Sequence, residues 1–257
     1  MEADIERRFG GVGRLYGTTA QAAFQTAHVV VVGIGGVGSW VAEALARNGI
    51  GHLTLIDLDN IAESNTNRQI HALDDHFGKA KVTAMAERIR AINPTCAVTE
   101  VEEFVTPENA ADMLDRGADL VIDAIDQVRA KVAMIDWARR TGTPIVVAGG
   151  AGGKIDPTRI RIDDLSRTVQ DPLLARVRSQ LRKAHDFPRD PKRKFGVACV
   201  YSTEPIRQPS AGTACDTGGA HGGLNCAGFG SSVCITASFG FFAAAAGLAA
   251  LVENGNG

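Results

Sequence analysis

The sequence predicts an α/β fold, a doubly wound and mainly parallel sheet with helices on both faces. Three observations predict it. Short apolar runs such as HVVVV, HLTLI, LVIDAI and PIVVA recur along the chain, each the length of a buried strand. Between them lie stretches with apolar residues at helical spacing. A glycine-rich hexapeptide, GIGGVG, joins the first run to the helix that follows it. Strands alternating with helices are placed parallel, because a parallel pair needs a crossover connection.

Residues 1–27 read as an N-terminal arm with a helix leading into the first strand. HVVVV is that strand, and VAEALARNGIG carries the next helix to a glycine stop. HLTLIDLD is the second strand. Residues 79–92 form a helix, with Val82, Met85, Ala86 and Ile89 on one side. AVTEVEEFV alternates and is a strand, followed by a helix over 107–116 and a buried strand in ADLVIDAID. A helix over 129–140 and a strand in TPIVVAGGAGG complete a nucleotide-binding core at 28–153. The extension, 154–257, differs in kind. It holds a short strand in TRIRIDDL, a basic amphipathic helix over 171–185, a charged proline-rich loop and a strand in GVACVYSTE. A glycine-rich irregular stretch over 208–230 and an apolar terminal helix finish it. The whole is expected to be a single domain of Rossmann-like architecture.

Composition narrows the function. The net charge of the 257 residues is only -2, yet 154–194 holds 12 Lys/Arg against six Asp/Glu. A basic segment on an acidic body suggests an anionic partner. The five cysteines are odd in number and form no CxxC, which argues against a disulfide framework or a structural zinc and fits a reducing cytoplasm. The N-terminal stretch MEADIERRFGG has no apolar run of the secretory type. Residues 233–252 carry no charge over a length that can span a bilayer. Their Ala and Gly content favours a buried helix over membrane association.

The GIGGVG turn places Gly33, Gly35, Gly36 and Gly38 between a strand and a helix start. Without β-carbons there, backbone can approach a phosphate, and the helix N-terminus favours the anion. Asp57 ends the next strand, where a carboxylate accepts hydrogen bonds from ribose hydroxyls. A nicotinamide site needs no more than that. Here Asp59, Asn65, Asn67, Arg68, Gln69 and Lys81 follow, and VIDAIDQVRAK sets Asp123 and Asp126 at another strand end. Bases that balance phosphates beside acids that hold a metal suit a nucleoside triphosphate with Mg2+. Asp126 and Asp59 are the expected metal carboxylates. Asn65 and Asn67 also suit simple turns.

GIGGVGSW, LIDLDNIAESNTNRQ, GKAKV, INP and VIDAIDQVRAK resemble the ubiquitin-activating-enzyme-like superfamily, which includes the MoeB and ThiF adenylyltransferases. The resemblance spans about residues 8–150. It implies ATP-dependent adenylation of a carboxylate in a homodimer. Under it Asp57 binds ribose, Asn65, Arg68 and Lys81 bind phosphates, and Asp126 serves Mg2+. Arg8, beside Arg7, would reach across the dimer to the partner's ATP. The MoeB and ThiF branches carry two CxxC pairs for zinc, and this chain has none. RFGG, TNRQIHAL, GGAGGKIDPT, QDPL, GVACVYSTE and GFGSSVCITASFGF are instead similar to the tRNA threonylcarbamoyladenosine dehydratase branch. That resemblance implies cyclisation of the modified adenosine 37 of tRNA with loss of water. A sulfur-transfer protein partner of the cysteine desulfurase type and a monovalent cation at the turn after Gly149 are further possibilities it leaves open.

An adenylated carboxylate closing on a nitrogen of the same molecule gains from proximity, so no enzyme nucleophile is required. Cys199 is the best candidate for a transient acyl carrier, although a strand cysteine commonly packs as a hydrophobe. Cys234 reads as structural. Arg176, Arg178, Arg182, Lys183, Arg189, Lys192, Arg193 and Lys194 form the expected RNA-gripping segment. Three alternatives remain at this point. They are activation of a small sulfur-carrier protein's C-terminus, a nucleotide-binding partner without turnover, and, distantly, a nicotinamide oxidoreductase.

Overall fold

The structure is a computed structural model that describes residues 4–208 and 229–255. The N-terminal arm is two helices, α1 (Ile5–Tyr16) and α2 (Thr18–Thr26). Alternation then holds through β1 (His28–Val32), α3 (Gly38–Arg47), β2 (His52–Ile56), α4 (Lys81–Ile92), β3 (Ala97–Val101), α5 (Ala110–Leu114), β4 (Leu120–Asp123), α6 (Val128–Thr141) and β5 (Ile145–Ala148). The C-terminal part adds β6 (Ile160–Asp164), α7 (Pro172–Ala184), β7 (Ala198–Ser202) and α8 (Val233–Gly255).

The seven strands form one sheet in the order β3-β2-β1-β4-β5-β7-β6. All neighbours are parallel except β6 and β7, which pair antiparallel at the edge. The sheet therefore crosses the boundary expected at residue 153, because β5 pairs with β7. β1 shows why the fold needs both helical layers. Val29 and Val31 enter one apolar cluster with α3, α4 and α8, and Val30 and Val32 enter the other with α6 and α7. Each of these valines is at most 1% exposed, and full burial of such a side chain contributes about 1.5–3 kcal/mol.

One helix and one strand are shorter than expected. The helix expected over 107–116 shrinks to Ala110–Leu114. Thr106 and Asn109 bond reciprocally ahead of it, and Gly117 turns the chain at φ 68° behind it. The strand expected from AVTEVEEFV stops at Val101. The apolar C-terminal helix is long and apolar enough to cross a membrane, but 56% of its most apolar window is buried inside the protein. Ile235, Phe239, Ala243, Ala244 and Leu248 are its core face.

Gly240 is what lets α8 lie on α3. A β-carbon there would stand 2.8 Å from the Val37 carbonyl oxygen and 2.7 Å from Trp40 Cβ. Gly240→Ala forces the two helices apart and should cost about 1–3 kcal/mol. Urea unfolding should show a lower midpoint with an unchanged slope; an unchanged midpoint would refute the close approach.

Candidate active site

In a parallel sheet the carboxyl ends of the strands share one edge, and a crevice opens where the winding reverses. Here that point lies between β1 and β4. Gly33 leaves β1 at φ 85°, and a β-carbon on it would press on Ile125 at 2.8 Å and on the Ala124 carbonyl oxygen at 3.2 Å. One at Gly38 would overlap the Gly33 carbonyl oxygen. The strand and the first turn of α3 are thus in backbone contact, which only glycine permits.

The Asp57 carboxylate locks this turn. Its Oδ2 accepts the Ile34 amide at 2.7 Å and its Oδ1 accepts the Asp59 amide at 2.9 Å. Burial pushes the carboxyl pKa up, against Lys81 and these two amides, which favour the anion. Lys81 opens α4 and is buried, with Nζ 2.6 Å from Asp59 Oδ2 and 3.8 Å from Asp57 Oδ1. Asp59, expected at the metal, is therefore also the partner of Lys81.

Arg68 lies across the glycines. A β-carbon at Gly36 would meet its Cγ at 3.3 Å, and one at Gly35 would come within 4.0 Å of Gln69 Nε2. The Arg68 guanidinium is partly buried and donates to the Ser64 carbonyl and to Asn67 Oδ1, both at 2.8 Å. Desolvation lowers its pKa from the usual arginine value. Its carbonyl accepts from Trp40 Nε1 at 3.0 Å and Thr236 Oγ1 at 3.4 Å. Asn67 Nδ2 donates to the Ser231 carbonyl at 2.9 Å. The start of α8 thus forms a wall of the crevice, a contribution invisible in the sequence because residues 231–236 lie so far from the glycine turn.

Asp126 follows β4 and is partly buried on the same edge. Asp123, expected beside the nucleotide, lies in the interior. It is fully buried and pairs with the equally buried Lys131 at 3.0 Å, which also donates to the Ala148 carbonyl at 2.8 Å. Burial raises the Asp123 pKa and Lys131 opposes it. The missed signal was a lysine on the apolar face of a helix, between Ala130 and Met134. Asn65 is 9% exposed and its Oδ1 accepts the Ala62 amide at 3.0 Å, so here it shapes a turn. Arg8, expected to cross a dimer, donates to the Ala91 and Ile92 carbonyls at the end of α4.

Cys199, the candidate acyl carrier, is fully enclosed in β7, and burial pushes its thiol pKa well up, away from the thiolate a carrier would use. Cys234, read as structural, is exposed in the first turn of α8. Cys215 and Cys226 fall outside the described residues. Of the basic segment, Arg176, Lys183, Arg189, Lys192, Arg193 and Lys194 are exposed. Arg178 instead donates to the Thr168 hydroxyl, and Arg182 donates to the Pro188 carbonyl and lies 5.1 Å from the Phe195 ring centre.

The residues fit a triphosphate on their own geometry. The glycine cradle is filled if side chains are added, and the buried Gln69 Oε1 beside it has no protein partner. Among the described residues no group of three His, Cys, Asp or Glu could hold a metal alone, so a cation there would share its shell with phosphate oxygens or water.

A glycine turn under an arginine, a buried lysine at a helix start and acids on the carboxyl edge define a nucleotide-binding α/β protein of the adenylating class. The ThiF family model matches residues 11–252, and the chain belongs to the ThiF family. A Haemophilus influenzae relative named tRNA threonylcarbamoyladenosine dehydratase is 52% identical over 93% of this chain and 91% of its own. The Escherichia coli protein of that name is 54% identical over 92% and 90%. The crystal structure of the E. coli protein, TcdA, in complex with ATP is similar at TM-score 0.87 and 50% identity, covering 97% of this chain and 95% of that one. The AMP complex gives TM-score 0.88.

Two outcomes follow from the site geometry. Gly38→Ala must separate strand from helix, and equilibrium dialysis should find ATP affinity reduced at least tenfold, about 1.4 kcal/mol or more. Unchanged affinity would mean the backbone contact is not needed. His71 gives the second. It is 1% exposed, with Nε2 2.9 Å from the Ile34 carbonyl and Nδ1 without a partner. Desolvation first, with Lys81 nearby, lowers its pKa to about 4, while the Ile34 bond opposes this. The unfolded chain binds this proton more readily, so the contribution is complete above about pH 6.5 and is lost as pH falls through about 4. It amounts to about 3 kcal/mol. Unfolding free energies measured between pH 7.5 and 4 should fall more steeply for the wild type than for His71→Gln, and parallel curves would dismiss the assignment.

Proposed function

We propose that this chain dehydrates threonylcarbamoyladenosine at position 37 of tRNA at the expense of ATP, cyclising the modification. The observation that carries this reading is Arg68 lying over Gly36 of the glycine cradle, within a chain half identical along nearly its whole length to enzymes of that name. The cradle and the N-terminus of α3 face the phosphates, with Arg68 and Lys81 balancing their charge. Gln69 offers an amide to the same place. Asp57 is within the crevice as ribose acceptor. Asp126, with Asp59, would hold Mg2+, which supplies charge withdrawal from the phosphates.

A threonyl carboxylate oxygen attacks the α-phosphorus of ATP and pyrophosphate leaves. A nitrogen of the same modification then attacks the acyl carbon, loses its proton and expels AMP. The substrate loses the elements of one water, and its former carboxylate oxygen departs in AMP. The route requires no enzyme thiol, and Cys199 is buried.

The basic segment supports a tRNA partner. The exposed Arg176, Lys183, Arg189, Lys192, Arg193 and Lys194 suit phosphates without reading sequence. A homodimer is part of the same reading. Exposed Phe241 and Phe242 on α8 and Leu15 on α1 are apolar surface a second copy would cover. Residues 28–153 would serve as the nucleotide core and 154–257 as the substrate and dimer extension, in the cytoplasm where tRNA is modified.

Nucleoside mass analysis tests the reaction. Protein with ATP, Mg2+ and threonylcarbamoyl-modified tRNA should produce an ATP-dependent loss of 18 Da, roughly one water, from the modified nucleoside. Arg68→Ala should lower kcat/KM about a hundredfold or more, while Cys199→Ala stays within about threefold. An unchanged nucleoside mass with the wild-type protein would overturn the proposal.

A further inference from the structure

Between α7 and the 204–206 segment lies a second cavity of about 410 Å3. It opens on the same sheet edge as the nucleotide crevice, beside the turn that leaves β5. Pro172, Ala175, Pro205 and Ile206 give it flat apolar walls, and Gln170 and Arg178 bring polar groups to them. The floor is built. Asp171 is 4% exposed and accepts the Gly150 amide at 2.8 Å and the Leu174 amide at 3.0 Å.

The conformation of Gln170 is unusual. It is one of two non-glycine residues with positive φ among the described ones, at 55°, and its side chain is exposed. Such a backbone persists only where its surroundings over-determine it, commonly at ligand sites. Its carbonyl is held by Lys154, 2% exposed, whose Nζ donates to the Glu204 carbonyl at 2.7 Å and to the Gln170 carbonyl at 3.3 Å. That one buried ammonium ties together the two segments that face each other across the cavity. The Arg178 guanidinium is held by the Thr168 hydroxyl. Nothing in the adenylation chemistry accounts for this arrangement.

We propose that this cavity is the specificity pocket for the modified nucleotide, taking an unstacked purine whose N6 carries the amino-acid arm. The inference rests on the dehydratase reading above. Apolar walls with a few fixed donors are what grips a base splayed from an RNA loop. The Gln170 amide can pair with the carbamoyl group, and the Arg178 guanidinium can donate to the base edge or the carbamoyl oxygen. β5 stands two strand spacings from β1, about 10 Å, a span the base and its arm bridge. The carboxylate then points toward the phosphates over the glycine turn. The exposed basic face of α7 continues from the pocket and carries the flanking backbone.

Binding tests this without turnover. The probes are two anticodon stem-loop RNAs, identical except for threonylcarbamoylation of adenosine 37, titrated into the full chain with a non-hydrolysable ATP analogue. The wild type should prefer the modified RNA at least fivefold. Gln170→Gly keeps the positive φ, so its melting temperature should not fall, yet the preference should vanish. Arg178→Gln should remove it as well. Arg193→Ala, outside the pocket, should weaken both RNAs equally. A preference retained in Gln170→Gly and Arg178→Gln, or absent from the wild type, overturns the pocket. Failure of the dehydratase reading shows separately, as an unchanged nucleoside mass with active wild-type protein.

Discussion

A carboxylate at the end of β2 accepts amides from either side, Ile34 of the glycine turn and Asp59 of the following segment. Around that contact the rest of the crevice is ordered. Fixing Ile34 fixes the glycines over which Arg68 lies. Fixing Asp59 sets the partner of Lys81 and with it the start of α4. His71 closes the other side of the same turn on the Ile34 carbonyl. Residue 34 is thus held at both its amide and its carbonyl, so the phosphate cradle is rigid before any ligand arrives.

Most of the fold was legible because its signals are local. Four apolar valine, leucine and isoleucine runs became the strands β1, β2, β4 and β5 at the centre of the parallel sheet, and GIGGVG became the turn at the switch point. The short helices and strand ends were less legible, since Thr106 and Asn109 form a turn ahead of α5 through side-chain bonds that no periodicity reveals. The grouping of the candidate residues was legible where they lie near their own strand end: Asp57, Arg68, Gln69 and Lys81 all meet around the glycine turn. It was not legible where burial decides. Asp123 and Asp126 look alike in VIDAIDQ, yet Asp123 is fully buried against Lys131 and Asp126 is half-exposed. Likewise, Arg178 and Arg182 look like their basic neighbours, but each is half-buried and gives one donor to the chain itself.

Two buried lysines do related work at different depths. Lys131 ties β4 to β5 through Asp123 and the Ala148 carbonyl. Lys154 ties the loop before α7 to the segment after β7. Each replaces water with fixed carbonyl acceptors, the condition under which an ammonium is tolerated inside a protein. Together they stiffen the carboxyl edge, and the exposed lysines and arginines are left to act by charge alone.

The contact of α8 with Arg68 has a consequence for how the protein is made. Thr236 and Ser231 reach the crevice from almost 170 residues downstream of the segment they touch, the separation from Arg68 to Thr236 being 168. On the ribosome, the glycine turn, Asp57 and Arg68 emerge early, but their far wall arrives only with the last helix. Until then the α3 face that receives α8, including Trp40, stays open to solvent, and the sheet lacks part of its cover. A nascent chain therefore holds an unfinished site and an uncovered apolar face through most of its synthesis, the interval in which chains of this size are prone to association. Completion of the nucleotide site and closure of the core become one event, set by α8.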